Sequence, residues 1–259
     1  METTPVVSVA NNATGKLISV SELFSKSFAL SKIIFWKVIG MLLLPVLAYV
    51  PMAVVAVLFF LVYNFGATLG PVASIALYSI LGILGIAAVC LALYVSLVAQ
   101  VGSYLLIKNR DTNPKIWETF KAGKTQAFSF LETNILASIF IFFWFLLLVV
   151  PGFIMSIYYA FVSWVFIFEG MKNKVAMRRS KDLVQGHWWA VFGRLLLFIL
   201  PIALILVVPD YFIEDKTSGQ KIYDVVYNIF SQAIAPFSMA YSYYIYKSLV
   251  DLKNNTIKN

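Results

Sequence analysis

A chain of 259 residues that is 61% hydrophobic and 12% charged, with a mean hydropathy of +0.86, lies outside the range of water-soluble domains. A net charge of +8 would suit a polyanion only if Lys and Arg shared one solvated face; here they fall in short segments between long apolar runs, which excludes nucleic acid as a partner. Cys90 and His187 are the only residues of their kinds, so neither a disulfide framework nor a metal centre is expected.

Residues 1–18 read as a flexible cytoplasmic N-terminus, without the continuous apolar stretch of a secretory signal. Ser19 and Glu22 then stand in capping-box spacing and open an amphipathic helix with Phe24 and Phe28 on one face. The first span follows at about 38–63, kinked by Pro45 and Pro51. The second, 71–107, is an uncharged run that as one helix would reach about 55 Å at ~1.5 Å per residue, so it must tilt, bend or project. Its small residues Gly85, Ala88, Ala92, Ser96, Ala99 and Ser103 recur every three or four positions and allow close approach of another helix, in the same chain or in a second copy.

The connection after it predicts a second amphipathic helix, with Asn113 as N-cap and Pro114 at the first helical position. Between Glu132 and Glu169 no charge occurs, and Pro151-Gly152 sits near the middle of that stretch. A helical hairpin is expected, with spans at 133–150 and 153–168 joined by a turn at Pro151 and Gly152. A third amphipathic helix follows, with Lys174, Arg178, Lys181 and Gln185 along one stripe and Ala176, Ser180 and Leu183 on the other side. The fifth span covers about 189–208. The sixth covers about 225–246, and 251–259 form a cytoplasmic tail.

Basic residues fix the orientation, because they are retained on the cytoplasmic side. Four precede span one, five follow span two, six lie between span four and the body of span five, and three end the chain, leaving only Lys216 and Lys221 for the other side. Both termini are expected to be cytoplasmic. The three amphipathic helices, flanked by Trp36, Trp117, Trp188 and Trp189, suit an anionic headgroup layer, although the plainer reading is that each merely links spans.

The fold class is therefore all-α: a polytopic protein of the cell membrane with six transmembrane helices and three cytoplasmic interfacial helices, over a membrane domain of 19–250. No catalytic motif is present, no pair of His, Cys, Asp or Glu has ligand spacing, and no cofactor is expected. The spans hold a single charge, Arg194, close enough to one end to snorkel, which disfavours coupled transport. The role expected is that of a non-enzymatic structural or accessory module in contact with membrane lipids, anionic headgroups, and a protein partner or second copy. The alternative is a passive or partner-energised carrier of a small solute or lipid along Asn228, Gln232, Ser238 and Ser242, residues that could instead bond across helices.

From Leu148 to Phe198 the chain contains Pro151-Gly152, Glu169-Gly170, Arg179-Ser180, Leu183, Gly186 and Trp188. This pattern resembles the membrane-domain family fused to some bacterial glycerophosphoryl diester phosphodiesterases, and its stand-alone uncharacterised relatives. The resemblance implies a six-helix membrane domain without phosphodiesterase activity, which belongs to the separate soluble barrel of the fused proteins. A Glu169–Arg179 ion pair is expected to pin the third amphipathic helix under the bundle, with Gly186 ending that helix and Trp188 anchoring the next span.

Overall fold

The computed structural model describes residues 17–65, 70–212 and 218–258, with side chains described outside 205–232 and 256–258. Among the described residues every regular element is helical: α1 (Val20–Ala48), α2 (Val50–Phe65), α3 (Pro71–Lys108), a 3₁₀ turn (Arg110–Thr112), α4 (Ile116–Leu147), α5 (Val149–Tyr158), α6 (Val162–Glu169), α7 (Asn173–Val184), α8 (Trp188–Phe212) and α9 (Ser218–Lys258). Four stretches among the described residues are long and apolar enough to cross a membrane: Val20–Phe65, Pro71–Lys108, Ile116–Leu147 and Val149–Glu169. A fifth arises if α7 and α8, bent by 94° at their junction, form one span. This is the profile of an all-α membrane protein. Lipid also suits the tip between α4 and α5, where Leu146 to Val150 are each 68–70% exposed, a patch that water would penalise. The expected sixth span falls within α9, and its side chains up to residue 232 lie outside the described residues.

Ser19 caps α1, its Oγ accepting from the Glu22 N–H at 3.3 Å, while Glu22 pairs one turn on with Lys26 at 2.7 Å. Leu23, Ser27, Leu30, Ile34, Val38 and Met41, three or four apart, form a buried stripe packed on α3 and α9. No break separates the amphipathic stretch from the first span, and α1 runs unbroken for 29 residues, about 44 Å. It gives way to α2 at Tyr49, two residues before Pro51, whose ring supplies no N–H for the Leu47 carbonyl and crowds it.

The entry to α4 corrects the expected cap. Asn113 is not an N-cap: its φ of 49° closes the 3₁₀ turn, with its N–H donating to Arg110 O at 3.2 Å, and α4 starts at Ile116. An N-cap needs extended backbone, whereas Asn is among the few residues that tolerate the left-handed region. The Asn113 side chain is taken by Lys37, whose Nζ donates to Oδ1 and also to Pro114 O at 3.0 Å.

Within α3, Ala88, Ala92, Ala99 and Ser103 are all buried, and a Cβ on Gly85 would lie 3.7 Å from Val55. The small-residue stripe thus finds its partners inside the chain, in α1, α2 and α4. A Cβ on Gly123 of α4 would come within 2.8 Å of the Val98 carbonyl, so the α3–α4 contact is backbone against backbone.

The hairpin turn is also displaced from its expected place. Leu148, extended at φ −158° and ψ 137°, makes the reversal, and Pro151 and Gly152 lie in the first turn of α5. Proline belongs there because its missing N–H would have no partner in any case. Gly152 is needed for a different reason, since a Cβ on it would sit 2.8 Å from the Cα of Phe145 on the facing helix. The expected fourth span is itself interrupted at Tyr159–Phe161, between α5 and α6.

Candidate functional site

Gly170 adopts φ 70° and ends α6, its N–H returning to Phe166 O at 3.1 Å. The chain turns back there and brings α7 beneath α6, so that Arg179 Nε donates to Glu169 Oε2 at 2.7 Å. The other carboxylate oxygen, Oε1, accepts from the Tyr246 hydroxyl at 2.9 Å. The side chains of Glu169 and Arg179 are 19% and 24% exposed, which makes their hydrogen bonds charge-assisted and only partly wet. One carboxylate thereby joins α6, α7 and α9. Tyr246 escaped the sequence reading, because nothing in the local pattern fixes a partner 77 residues away. The only signal was the density of tyrosines at 241, 243, 244 and 246.

Ser180, next to Arg179, closes the interruption between α5 and α6. Its Oγ donates to Tyr158 O at 2.7 Å and accepts from the Phe161 N–H at 3.3 Å, satisfying two backbone groups that the break would otherwise orphan. Around it Ala176, Met177, Leu183 and Val184 are buried, whereas Lys174, Arg178, Lys181 and Gln185 are exposed. The start of α7 is tied to α4: Asn173 N–H donates to Thr133 Oγ1 at 3.0 Å and its Nδ2 to Glu132 Oε1 at 2.7 Å. That tie was not foreseen either.

Gly186, at φ 90°, lies in the elbow after α7, where His187 N–H caps Val184 O at 2.9 Å. The His187 Nδ1 is buried without a hydrogen-bond partner among the described residues. Trp188 begins α8, donates its Nε1 to Ile154 O at 3.3 Å and stacks on Phe192. Gly170, Arg179, Ser180, Gly186 and Trp188 are thus gathered around one junction of α5 to α8, with Glu169 at its edge.

A cation–aromatic layer adjoins this junction. Trp164, 2% exposed, packs edge-on against Tyr104 and donates to Ser242 Oγ at 3.2 Å. Arg110 donates to the Tyr243 hydroxyl at 2.8 Å and lies 5.1 Å from that ring. Burial is the largest single influence and opposes the Arg110 charge, but the Tyr243 hydrogen bond and the electrostatic pull of Tyr243, Asp111 and Tyr244 together outweigh it and hold the guanidinium above its ordinary pKa. Lys108 donates to Ile167 O, covering a carbonyl in the last turn of α6.

The polar path expected along span six divides. Ser242 accepts from Trp164 and donates to Met239 O at 3.1 Å, and Ser238 donates to Ala235 O at 2.9 Å, so both hydroxyls are spent on packing. The side chains of Asn228 and Gln232 lie outside the described residues. A second tie gathers the start of the chain: Ile18 N–H donates to Ser248 Oγ at 3.0 Å, and its carbonyl accepts from Arg194.

Chemically the junction is a clasp. The Glu169 carboxylate is engaged on both oxygens, the Ser180 and Ser242 hydroxyls bridge helices, and the cations Arg179, Lys108 and Arg110 are spent on that carboxylate, a carbonyl and a ring. No group of three His, Cys, Asp or Glu that could hold a metal occurs among the described residues. No family model, curated protein or solved structure matches this chain.

Proposed function

We propose that the chain is a non-enzymatic, six-span module of the cytoplasmic membrane, with both termini in the cytoplasm, acting through contacts with lipids and a protein partner or second copy. The observation that carries this reading is the double engagement of Glu169 by Arg179 and Tyr246, which makes the acid a fastening for three helices rather than a group free to move protons. The residues on which the likeness to the phosphodiesterase-linked membrane-domain family rests are largely those of the clasp, and membership of its stand-alone branch is part of the proposal.

The cytoplasmic assignment draws on charge and on a repeated side-chain pair. Lys32 lies 4.5 Å from the Phe28 ring, Lys121 5.5 Å from Trp117 and Lys124 5.6 Å from Phe120, each lysine one turn after its ring. An apolar body with a charged tip is what a headgroup layer accepts. The first parts of α1 and α4, together with α7, are the interfacial segments of this reading.

Alkaline carbonate extraction and single-cysteine labelling test it. In a Cys90→Ser background the chain stays in the membrane pellet, Lys216→Cys reacts with an impermeant thiol reagent on intact cells, and Lys124→Cys reacts only after lysis. Release by carbonate or the reverse labelling overturns the assignment. Solute flux in reconstituted vesicles above that of empty ones overturns the non-transport role.

A further inference from the structure

Between α1 and α9 runs a groove of about 560 Å³, within the roughly 300–1,000 Å³ of small-molecule sites. Phe28, Trp36, Ile234 and Phe237 supply apolar walls and Lys32 the one cation among the described lining residues. The hydroxyl of Ser31, also in the lining, is spent on Phe28 O at 2.9 Å. The groove opens outward, beside Ile33 and Trp36, which are 73% and 78% exposed.

The α1 lysines are not equivalent. Lys26 is paired with Glu22, and Lys37 is held by Asn113 and Pro114. Among the described residues Lys32 rests only against the Phe28 ring and its ammonium donors have no oxygen partner. A cleft with apolar walls, one such cation and a lateral opening fits an amphiphile with a single anionic head. We infer that this groove binds one anionic phospholipid, with its phosphate on Lys32 and an acyl chain lying between Phe28 and Phe237. The inference rests on the reading of the chain as a membrane module, since only a chain in a bilayer meets such a ligand from the side.

A second groove on α4, of about 530 Å³, supplies an internal contrast. It too has apolar walls, but its charged group is Glu132, already bonded to Asn173. Opposite charge at similar size makes it a poor site for the same lipid.

The test is native mass spectrometry of the full chain in detergent, titrated with phosphatidylglycerol and with phosphatidylcholine of the same acyl chains. One phosphatidylglycerol is retained in preference to phosphatidylcholine, and Lys32→Gln weakens its binding by about tenfold, the scale of one lost charge-assisted contact, while leaving phosphatidylcholine unchanged. Lys26→Gln, on the same helix but outside the groove, has no effect. Ala233→Phe, which fills the lining, weakens both lipids. Equal retention of the two lipids, equal losses in Lys26→Gln and Lys32→Gln, or an inert Ala233→Phe in a chain with unchanged melting overturns the site. Carbonate extraction separates the two failures: a chain released from membranes defeats the module reading itself, whereas a retained chain without lipid preference defeats the groove alone.

Discussion

Arg194 donates from Nη2 at 2.6 Å and from Nε at 3.2 Å to the backbone carbonyl of Ile18, which precedes it by 176 residues. Its own carbonyl accepts from Tyr241 at 2.8 Å, so α8 is tied at one point both to the segment before α1 and to α9. A side chain that the sequence explains by snorkelling is thus a cross-brace. Arg194→Met keeps the apolar stem and loses the brace, at a cost of about 1–3 kcal/mol, the value of leaving a partly buried carbonyl without its charged donor. Arg194→Lys recovers only part of this, because an ammonium lacks the fork that reaches one oxygen from two nitrogens. Thermal melting of the purified chain in detergent reads both.

The Glu169–Arg179 pair is testable by a double-mutant cycle. Each side chain is less than a quarter exposed, and Glu169→Gln and Arg179→Ala should each destabilise, with a coupling of roughly 1–2 kcal/mol between them. Tyr246→Phe removes only the second donor and should cost about 1 kcal/mol. If the two losses simply add, the clasp carries no coupling.

Ser180→Ala deletes one hydroxyl and strands two backbone groups, Tyr158 O and Phe161 N–H. The expected loss is about 2 kcal/mol. Hydrogen exchange should locate it, with protection falling at 158–162 and staying unchanged in α3.

Two glycines predict opposite outcomes for one substitution. Gly152→Ala sets a methyl 2.8 Å from the Cα of Phe145, where backbone must move, so α5 is pushed off α4 at a cost of about 2–3 kcal/mol. Gly193→Ala, in α8, meets nothing within 4 Å among the described residues and should stabilise by roughly 0.5–1 kcal/mol through helix propensity. Melting temperatures that shift in the same direction contradict the packing described.

What the sequence determined was local or solvent-driven. Uncharged runs such as 71–107 must be helices in lipid, because every backbone N–H and C=O there has to be satisfied within its own segment, and composition alone reveals that. Ser19 as a cap and the two faces of α7 were equally legible, since each depends on residues within a turn or two. Glu169 and Arg179, only ten residues apart, sat at the limit of such reasoning. Tertiary structure alone decided that Tyr246 completes that pair, that Ile18 receives Arg194, that Gly152 serves the approach of Phe145 rather than the turn, and that Asn113 answers to Lys37 instead of capping α4. Each of these depends on which faces of distant helices lie together. That is set by side-chain packing across the whole bundle, and no short stretch of sequence encodes it.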